Sequence, residues 1–195
     1  IQDALFASSH HKCAFCECIP GESSHIEVEH FEPKSLYPDL AFEWDNLLPS
    51  CRRCNEEKSD ADTRSNPIIN PAIEDPEQLL TYSFLRIKPL AGSGQEHKAQ
   101  QTIDVCNLNC ERLYKARSEL MKSITEYIDE LKDKINWISE ADTDQKRKIR
   151  ITKLKNSIAV IESLTTAESA YSGYSKWFIQ QCPEYQEAKR IVASR

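Results

Sequence analysis

Four short motifs between residues 13 and 58 decide the fold: C-A-F-C at 13–16, E-V-E-H-F-E-P-K at 27–34, W-D-N-L at 44–47 and C-R-R-C-N-E-E-K at 51–58. Zinc prefers four soft donors in tetrahedral geometry, and each Cys-x-x-C places two thiolates on one turn of the chain. A site of this kind supplies much of the folding free energy of its module. We therefore expect one structural zinc ion, bound by Cys13, Cys16, Cys51 and Cys54.

The other cysteines leave alternatives open. Cys18 competes with Cys16 as the second ligand, and we prefer Cys16 because its two-residue gap matches that of the second pair. Four buried free thiols are the alternative to a zinc site as a whole. Cys106, Cys110 and Cys182 have no second pair to complete a metal site, so we interpret them as buried thiols.

Composition and charge restrict the possible functions. The 195 residues are 39% hydrophobic and 29% charged, which is typical of a soluble globular protein of one domain or two small ones. No apolar run approaches the roughly 20 residues that span a bilayer, and no basic-then-apolar leader is present. We therefore expect a cytoplasmic protein without membrane contact.

The net charge is −6, the wrong sign for a protein that binds nucleic acid over a broad surface. If the substrate is DNA or RNA, the positive charge must be local or a partner must supply it. The local candidates for phosphate binding lie around the four motifs, and an ordinary solvated surface is the alternative interpretation. These candidates are Lys34, Arg52, Arg53 and Lys58.

The order of predicted elements around the motifs is strand, loop, strand, helix. Residues His25–Phe31 alternate with the period of a strand, Leu47–Leu48 favours a short return strand, and a helix is expected from the second Cys pair. Residues 67–108 are rich in Pro and Gly and predict a connector with one hairpin, whose strand is Tyr82–Ile87.

From residue 109 the apolar spacing becomes helical. Apolar residues recur at close to heptad spacing, a polar turn at Ser139–Asp144 interrupts them, and the pattern then resumes. This pattern predicts a long antiparallel helical hairpin followed by shorter helices. The predicted division is 1–66 for the module with the four motifs, 67–108 for the connector and 109–195 for a helical domain that packs or docks a partner.

Glu29, His30, Asn46 and Asn55 are the candidates for chemistry. Hydrolysis of a phosphodiester needs a general base for water and a cation that stabilises the leaving oxygen. Glu29 and His30 lie together at the end of the predicted strand, and Asn55 offers an oxygen ligand to a hard cation such as Mg²⁺. Asn46 is suited to fixing the loop that orients the base. Each residue alone is more often an ordinary surface or turn residue, and the flanking cysteine pairs favour the functional interpretation.

The order E-H-F-x-P-K, W-x-N-L, C-x-x-C-N-x-x-K resembles the HNH (ββα-metal) nucleases, in their zinc-bound variety. The resemblance covers residues 13–58 and implies that His30 is the general base, Glu29 and Asn55 bind a catalytic Mg²⁺ or Mn²⁺, and Asn46 braces the loop. The chain has Glu rather than Asp before the base and Asn rather than His at the last position. The implied fold class is α+β, a zinc-stapled ββα-metal module with a mainly helical C-terminal part.

Further segments resemble the HNH component of Septu-type and retron-associated anti-phage modules, the PtuB-like proteins. They are Y-P-D-L-A-F-E-W-D-N-L-L-P-S-C-R-R-C-N, I-I-N-P, E-D-P-E and L-N-C-E-R-L. This resemblance implies an ABC-like (PtuA-like) ATPase partner. Such a partner would bind the nucleic acid that this acidic chain binds poorly by itself. The resemblance predicts an endonuclease acting on nucleic acid, with DNA favoured. The alternatives are an HNH nuclease acting on RNA and a non-catalytic zinc-knuckle binding module.

Overall fold

The structure is a computed structural model that describes residues 1–20 and 26–194. The chain forms two compact units, Ile1–Lys115 and Ala116–Arg195. The first unit contains both small sheets and the second consists of helices, so the predicted α+β class is confirmed. The three-part division expected from the sequence stays a prediction.

The first unit is built on a ββα arrangement. Strand β1 (Ile26–His30) pairs antiparallel with β2 (Leu47–Cys51), and Glu29 and His30 lie opposite Leu48 and Leu47. Helix α2 (Arg52–Lys58) follows β2 without a linker, and α1 (Gln2–Ser8) packs on both strands. This is the predicted element order, although His25 lies outside the described residues. The register puts Ile26 opposite Cys51, so the start of β1 lies beside the second Cys pair and the start of α2.

The segment after α2 contains a second hairpin and a helix. Strands β3 (Leu80–Ser83) and β4 (Arg86–Pro89) pair antiparallel, and helix α3 spans Glu96–Val105. The prediction of one strand over Tyr82–Ile87 was wrong, because the chain reverses there with Phe84 at a φ of 56°. Hairpin turns of this length normally use Gly or Asn for a left-handed residue. A phenylalanine in that position carries no turn signal.

The second unit is helical, and its helices share an apolar core. Helix α4 spans Glu111–Ser139, and its residues from Ala116 onward belong to this unit. The other helices of the unit are α5 (Asp144–Ser163), α6 (Ser172–Gln180) and α7 (Pro183–Ala193). Two contacts show that α4 and α5 run antiparallel: Arg150 lies over the Trp137 ring, and Lys134 Nζ donates to Ser157 Oγ over 2.6 Å. The seam between them is built from Ile124, Ile128, Leu131, Ile138, Ile151, Leu154, Ile158 and Ile161. The predicted helical hairpin is therefore confirmed.

No helix in the described part of the chain combines the length and the apolar character that crossing a membrane requires.

Candidate functional site

Four thiols converge beneath the β1–β2 hairpin. The Sγ atoms of Cys13, Cys16, Cys51 and Cys54 all lie within 4.8 Å of one another, and all four residues are buried. Cys16 Sγ lies 3.8 Å from Cys51 Sγ. Zn–S bonds of about 2.3 Å in tetrahedral geometry place sulfurs roughly 3.8 Å apart. The donor set, its burial and this distance fit a structural zinc ion.

Local hydrogen bonds bring the two Cys pairs together. The Ala14 amide donates to the Pro49 carbonyl of β2 over 2.8 Å, which ties the first pair to the strand that ends in Cys51. The Cys13 amide donates to the Cys18 carbonyl over 2.9 Å and closes the first turn. Cys16, not Cys18, belongs to the four-thiol group. Cys18 is also buried and lies beside it.

Hydrogen bonding among these thiols separates their pKa values into a lowered pair and a raised pair. It holds the pKa of Cys13 well below its ordinary value, with Cys16 as the largest contributor. Cys51 likewise has a lowered pKa, with Cys13 first among its causes. The hydrogen bond to Cys13 raises the pKa of Cys16 to about 12 and also raises the pKa of Cys54. Metal binding requires all four thiols deprotonated, so a bound cation would displace the protons of Cys16 and Cys54.

Arg112 was not predicted from the sequence. Its Nη2 lies 3.9 Å from Cys16 Sγ, across 96 residues of sequence. A zinc ion with four thiolates carries a net charge of about −2, and a guanidinium at this distance offsets part of it. The only sequence signal was its position in the L-N-C-E-R-L segment, which pointed to a family and not to a contact. The geometry makes Arg112 a positioning residue for the metal centre.

Replacing Arg112 with Gln is expected to weaken zinc retention by about 10- to 100-fold, because outer partners of metal ligands typically contribute that much. The measurement is transfer of zinc to a chromophoric chelator. Arg86→Gln, at an exposed position of β4, is the matched control and should behave as wild type. Equal zinc release by both variants and the wild type would contradict this role.

His30 ends β1, and its ring is held by the loop that follows. Its Nε2 lies 3.0 Å from the Ala41 carbonyl oxygen. A carbonyl oxygen only accepts hydrogen bonds, so the proton of the neutral ring sits on Nε2. Nδ1 then carries the lone pair. This tautomer is the one in which Nδ1 can take a proton from water.

Asn46 fixes the same loop. Its Nδ2 donates to the carbonyls of Glu32 and Leu40 over 3.0 and 3.1 Å, and its Oδ1 accepts from the Glu32 amide over 2.7 Å. The Phe31 amide donates to the Asn46 carbonyl over 2.8 Å. Asn46 is buried, so these bonds are shielded from water. The side chain thereby joins the residues just after His30 to the start of β2.

Helix α2 presents two side chains to one face of β1. Asn55 Nδ2 donates to Glu27 Oε2 over 2.6 Å, and Lys58 Nζ donates to Glu29 Oε1 over 2.7 Å. Residues two apart on a strand share a face, as do residues three apart on a helix. Lys58 also donates to the His30 carbonyl over 2.9 Å. One lysine thus anchors the Glu29 side chain and the backbone of the residue beside it.

Glu29 is buried, at 3% exposure. Burial raises its pKa, and the hydrogen bond and charge of Lys58 lower it only in part. Its second oxygen, Oε2, accepts no hydrogen bond from the described residues and stays available to a ligand. Asn55 uses its nitrogen on Glu27, which leaves its own Oδ1 available. Glu27 was missed at the sequence level, where only Glu29 was weighed, although both lie on the same strand face.

Lys58→Met is expected to lower the free energy of unfolding by about 3–5 kcal/mol, because it leaves a buried carboxylate unpaired. The pair has side chains only 0% and 3% exposed. Denaturant unfolding of the zinc-loaded protein measures the loss. The matched control is Arg52→Met, which breaks an exposed pair with Glu56 and should change little. Equal small effects of both substitutions would show that the Lys58–Glu29 pair is not structurally important.

The four phosphate candidates differ in accessibility. Lys34 and Arg53 are exposed and form no ion pair among the described residues, whereas Arg52 is exposed and paired with Glu56. Lys58 is fully buried, so its ammonium reaches a phosphate only if its bond to Glu29 opens. Arg53 also lines a cavity of about 240 Å³ beside the thiol cluster, together with Cys54, Glu57, Cys106, Asn107, Cys110, Glu111 and Arg112.

The family comparison gives the class of this site. Residues 13–61 match the family model described as HNH endonuclease, and that segment contains the four thiols, His30 and the β1–β2–α2 frame. The first unit therefore carries an HNH-type domain. The resemblance inferred from the sequence motifs is confirmed.

Two of the individual proteins that the chain resembles carry the same name, Septu protein PtuB. The chain is 43% identical over 110 residues to Septu protein PtuB of Bacillus thuringiensis, a match covering 56% of this chain and 41% of that protein. It is 28% identical over 143 residues to Septu protein PtuB of Bacillus mycoides, covering 58% of this chain and 48% of that protein.

A shorter match involves the protein ea31 of Escherichia phage lambda, 43% identical over 53 residues, 27% of this chain and 17% of the phage protein. The matches to the two PtuB proteins span less than half the length of each. No solved structure matches the chain.

Proposed function

We propose that the chain is a metal-dependent endonuclease that hydrolyses phosphodiester bonds in nucleic acid, with DNA as the favoured substrate. The observation that carries the proposal is the contact between His30 Nε2 and the Ala41 carbonyl oxygen. His30 directly follows Glu29 within the segment that matches the HNH family. A histidine held in this way is prepared to act as a general base, a role that typically contributes 10²- to 10⁴-fold to the rate.

In this mechanism His30 Nδ1 takes a proton from a water molecule as that water attacks the phosphorus. Asn46 donates to the carbonyl of Leu40, the residue before Ala41, and so supports the carbonyl that holds the His30 ring. Lys58 fixes the backbone of His30 from the other side through its carbonyl. Rigid support of this kind preserves the geometry that the reaction needs.

Glu29 and Asn55 would hold the catalytic Mg²⁺ or Mn²⁺ in this proposal. Carboxylate and amide oxygens are the ligands that such hard cations prefer. Glu29 Oε2 and Asn55 Oδ1 are both left available by the hydrogen bonds described above. Such an ion would supply the Lewis acid that stabilises the departing 3′ oxygen, leaving a 5′ phosphate. Lys34, Arg52 and Arg53 are proposed to contact neighbouring phosphates, and Lys58 joins them only if it leaves Glu29.

We also propose that the chain is the nuclease of an anti-phage defence module in the cytoplasm and works with a PtuA-like ATPase. The support is its similarity to two proteins named Septu protein PtuB. An ATPase partner would supply charge that the first unit lacks, since that unit holds 11 Lys and Arg against 19 Asp and Glu. An HNH nuclease acting on RNA is the alternative within the same class.

A non-catalytic zinc-knuckle binding module is the second candidate function. The observation that favours it is the buried ion pair, because Glu29 is bound to Lys58 in the structure and not free on both oxygens. In that case Glu29, His30 and Asn55 serve packing alone. Only the zinc site and the helices would then contribute to function.

Titration of the zinc-loaded protein with Mn²⁺ separates these functions. A nuclease site is expected to bind one Mn²⁺ in addition to zinc, and Asn55→Ala should weaken that binding at least tenfold because it removes an oxygen ligand. Asn66→Ala, at an exposed loop position, is the matched control. Absence of any Mn²⁺ site, or a site that ignores Asn55, would contradict the proposed metal centre.

A further inference from the structure

Helix α5 concentrates positive charge in an otherwise acidic protein. Six of the eleven residues 145–155 are Lys or Arg: Lys146, Arg147, Lys148, Arg150, Lys153 and Lys155. The second unit as a whole holds 14 Lys and Arg against 12 Asp and Glu, so nearly half of its cations lie in this run. The apolar residues Ile151 and Leu154 anchor the run to the core of the unit.

Three of these six cations form an ion pair or a cation–π contact with a neighbouring side chain. Lys146 Nζ lies 2.9 Å from Asp142 Oδ2. Arg150 and Lys153 both lie over the Trp137 ring, 4.5 and 5.0 Å from its centroid. The other three are exposed, and their side chains have no hydrogen-bond or ion-pair partner among the described residues; they are Arg147, Lys148 and Lys155. These three define what we call the α5 basic face.

The arrangement is unfavourable for the helix itself. Helix α5 begins at Asp144, so Lys146, Arg147 and Lys148 lie in or next to its first turn. Cations there oppose the positive end of the helix dipole, which is unfavourable. Like charges three or four residues apart, such as Arg147 and Arg150, add a smaller cost. A surface selected only for stability would place acidic residues at these positions.

We propose that the α5 basic face binds the sugar-phosphate backbone of a nucleic acid. Lys148 and Lys155 are seven residues apart, so they lie on nearly the same side of the helix, about 10 Å apart along its axis. A linear polyanion can contact both ends of this row, whereas a single phosphate cannot. Arg147 lies roughly 100° around the helix from Lys148 and flanks the row. Contacts of this kind give affinity without sequence preference.

The inference rests on the proposed nucleic-acid substrate but not on catalysis. The first unit is acidic overall, with 11 Lys and Arg against 19 Asp and Glu, and the α5 basic face would supply attraction that those charges do not. Arginine adds bidentate geometry to phosphate, and lysine adds point charges. The class of ligand is therefore a phosphodiester polymer, with DNA and RNA distinguished by experiment.

The test uses the full chain carrying His30→Ala, so that probes are not cut during the measurement. Binding is measured by fluorescence anisotropy over a range of salt concentrations. The labelled probes are duplex DNA, single-stranded DNA and single-stranded RNA, each about 30 nucleotides long per strand. The test variant combines Arg147→Gln, Lys148→Gln and Lys155→Gln. The control combines Lys115→Gln, Lys122→Gln and Lys132→Gln, which removes the same charge from exposed positions of α4. Circular dichroism confirms that both variants fold.

The test variant is expected to bind at least tenfold more weakly at low salt. Its log–log salt slope should be shallower by about 2–3, because each lost phosphate contact removes about 0.7–0.9. The control should stay within about twofold of the parent. The probe that shows the largest difference names the polymer. Loss of binding that is equal in the two variants, or no binding of any probe by the parent, would overturn the proposal.

The outcome of this binding test can be distinguished from the outcome of the cleavage test. If wild type cuts no nucleic acid but binding depends on the α5 basic face, the proposed catalysis fails and the binding surface stands. If wild type cuts and binding ignores the three residues, the binding surface fails and the nuclease stands.

Discussion

Replacing His30 with Ala is expected to slow cleavage by about 10²- to 10⁴-fold, the contribution of a positioned general base. The substitution removes the ring whose Nε2 is bound to the Ala41 carbonyl and whose Nδ1 would accept the proton of water. It leaves the four thiols, Asn46 and the Lys58–Glu29 pair in place. The measurement is the single-turnover rate on plasmid DNA and on RNA with Mg²⁺ or Mn²⁺.

The control for this substitution is His97→Ala, at an exposed position of α3. It makes the same chemical change away from the candidate site and should leave the rate unaltered. Zinc content and the thermal midpoint of His30→Ala should match those of wild type, so that a lost rate cannot be ascribed to a lost fold. Cleavage by His30→Ala at the wild-type rate would remove His30 from the mechanism.

Replacing Cys51 with Ser is expected to unfold the HNH-type part of the first unit. Cys51 ends β2, its Sγ lies 3.8 Å from Cys16 Sγ, and it completes the four-thiol cluster. Structural zinc in small peptides contributes about 10–16 kcal/mol near neutral pH, as large as the whole stability of a typical domain. Loss of one ligand should therefore leave residues 13–58 without a stable fold.

Native mass spectrometry for zinc and amide hydrogen exchange over residues 13–58 measure this effect. Cys182→Ser, in the second unit, is the matched control and should keep both zinc and protection. Strong chelation of wild type should reproduce the Cys51→Ser result. A Cys51→Ser protein that contains no zinc and yet protects residues 13–58 would show that the metal is not what holds this module together.

The sequence predicted the frame of the first unit because its signals are local. Two Cys-x-x-C pairs imply a tetrahedral site whatever the intervening fold, and alternation up to His30 implies a strand. The helical seam was predictable for the same reason, since its buried residues recur at helical spacing. Helix α3 was missed because its buried face is short and includes a polar residue, Thr102, whose hydroxyl accepts from the Ile69 amide.

Contacts between distant segments could not be predicted. Arg112 reaches Cys16 across 96 residues, and nothing in the spacing of either indicates the other. The Ala41 carbonyl that holds His30 is a backbone group, so no side-chain pattern marks it. Lys58 was expected to meet phosphate from its place one turn after Asn55, but burial against Glu29 depends on how α2 packs on β1.

The most direct test of the nuclease proposal is the rate at which zinc-loaded wild type cuts plasmid DNA and RNA before and after Mg²⁺ or Mn²⁺ is added. It is performed with the protein alone and with a PtuA-like ATPase. We expect no cutting with zinc as the sole metal and cutting once the second ion is present, with or without the ATPase. Absence of cutting in every mixture would contradict the nuclease and favour the zinc-knuckle binding module.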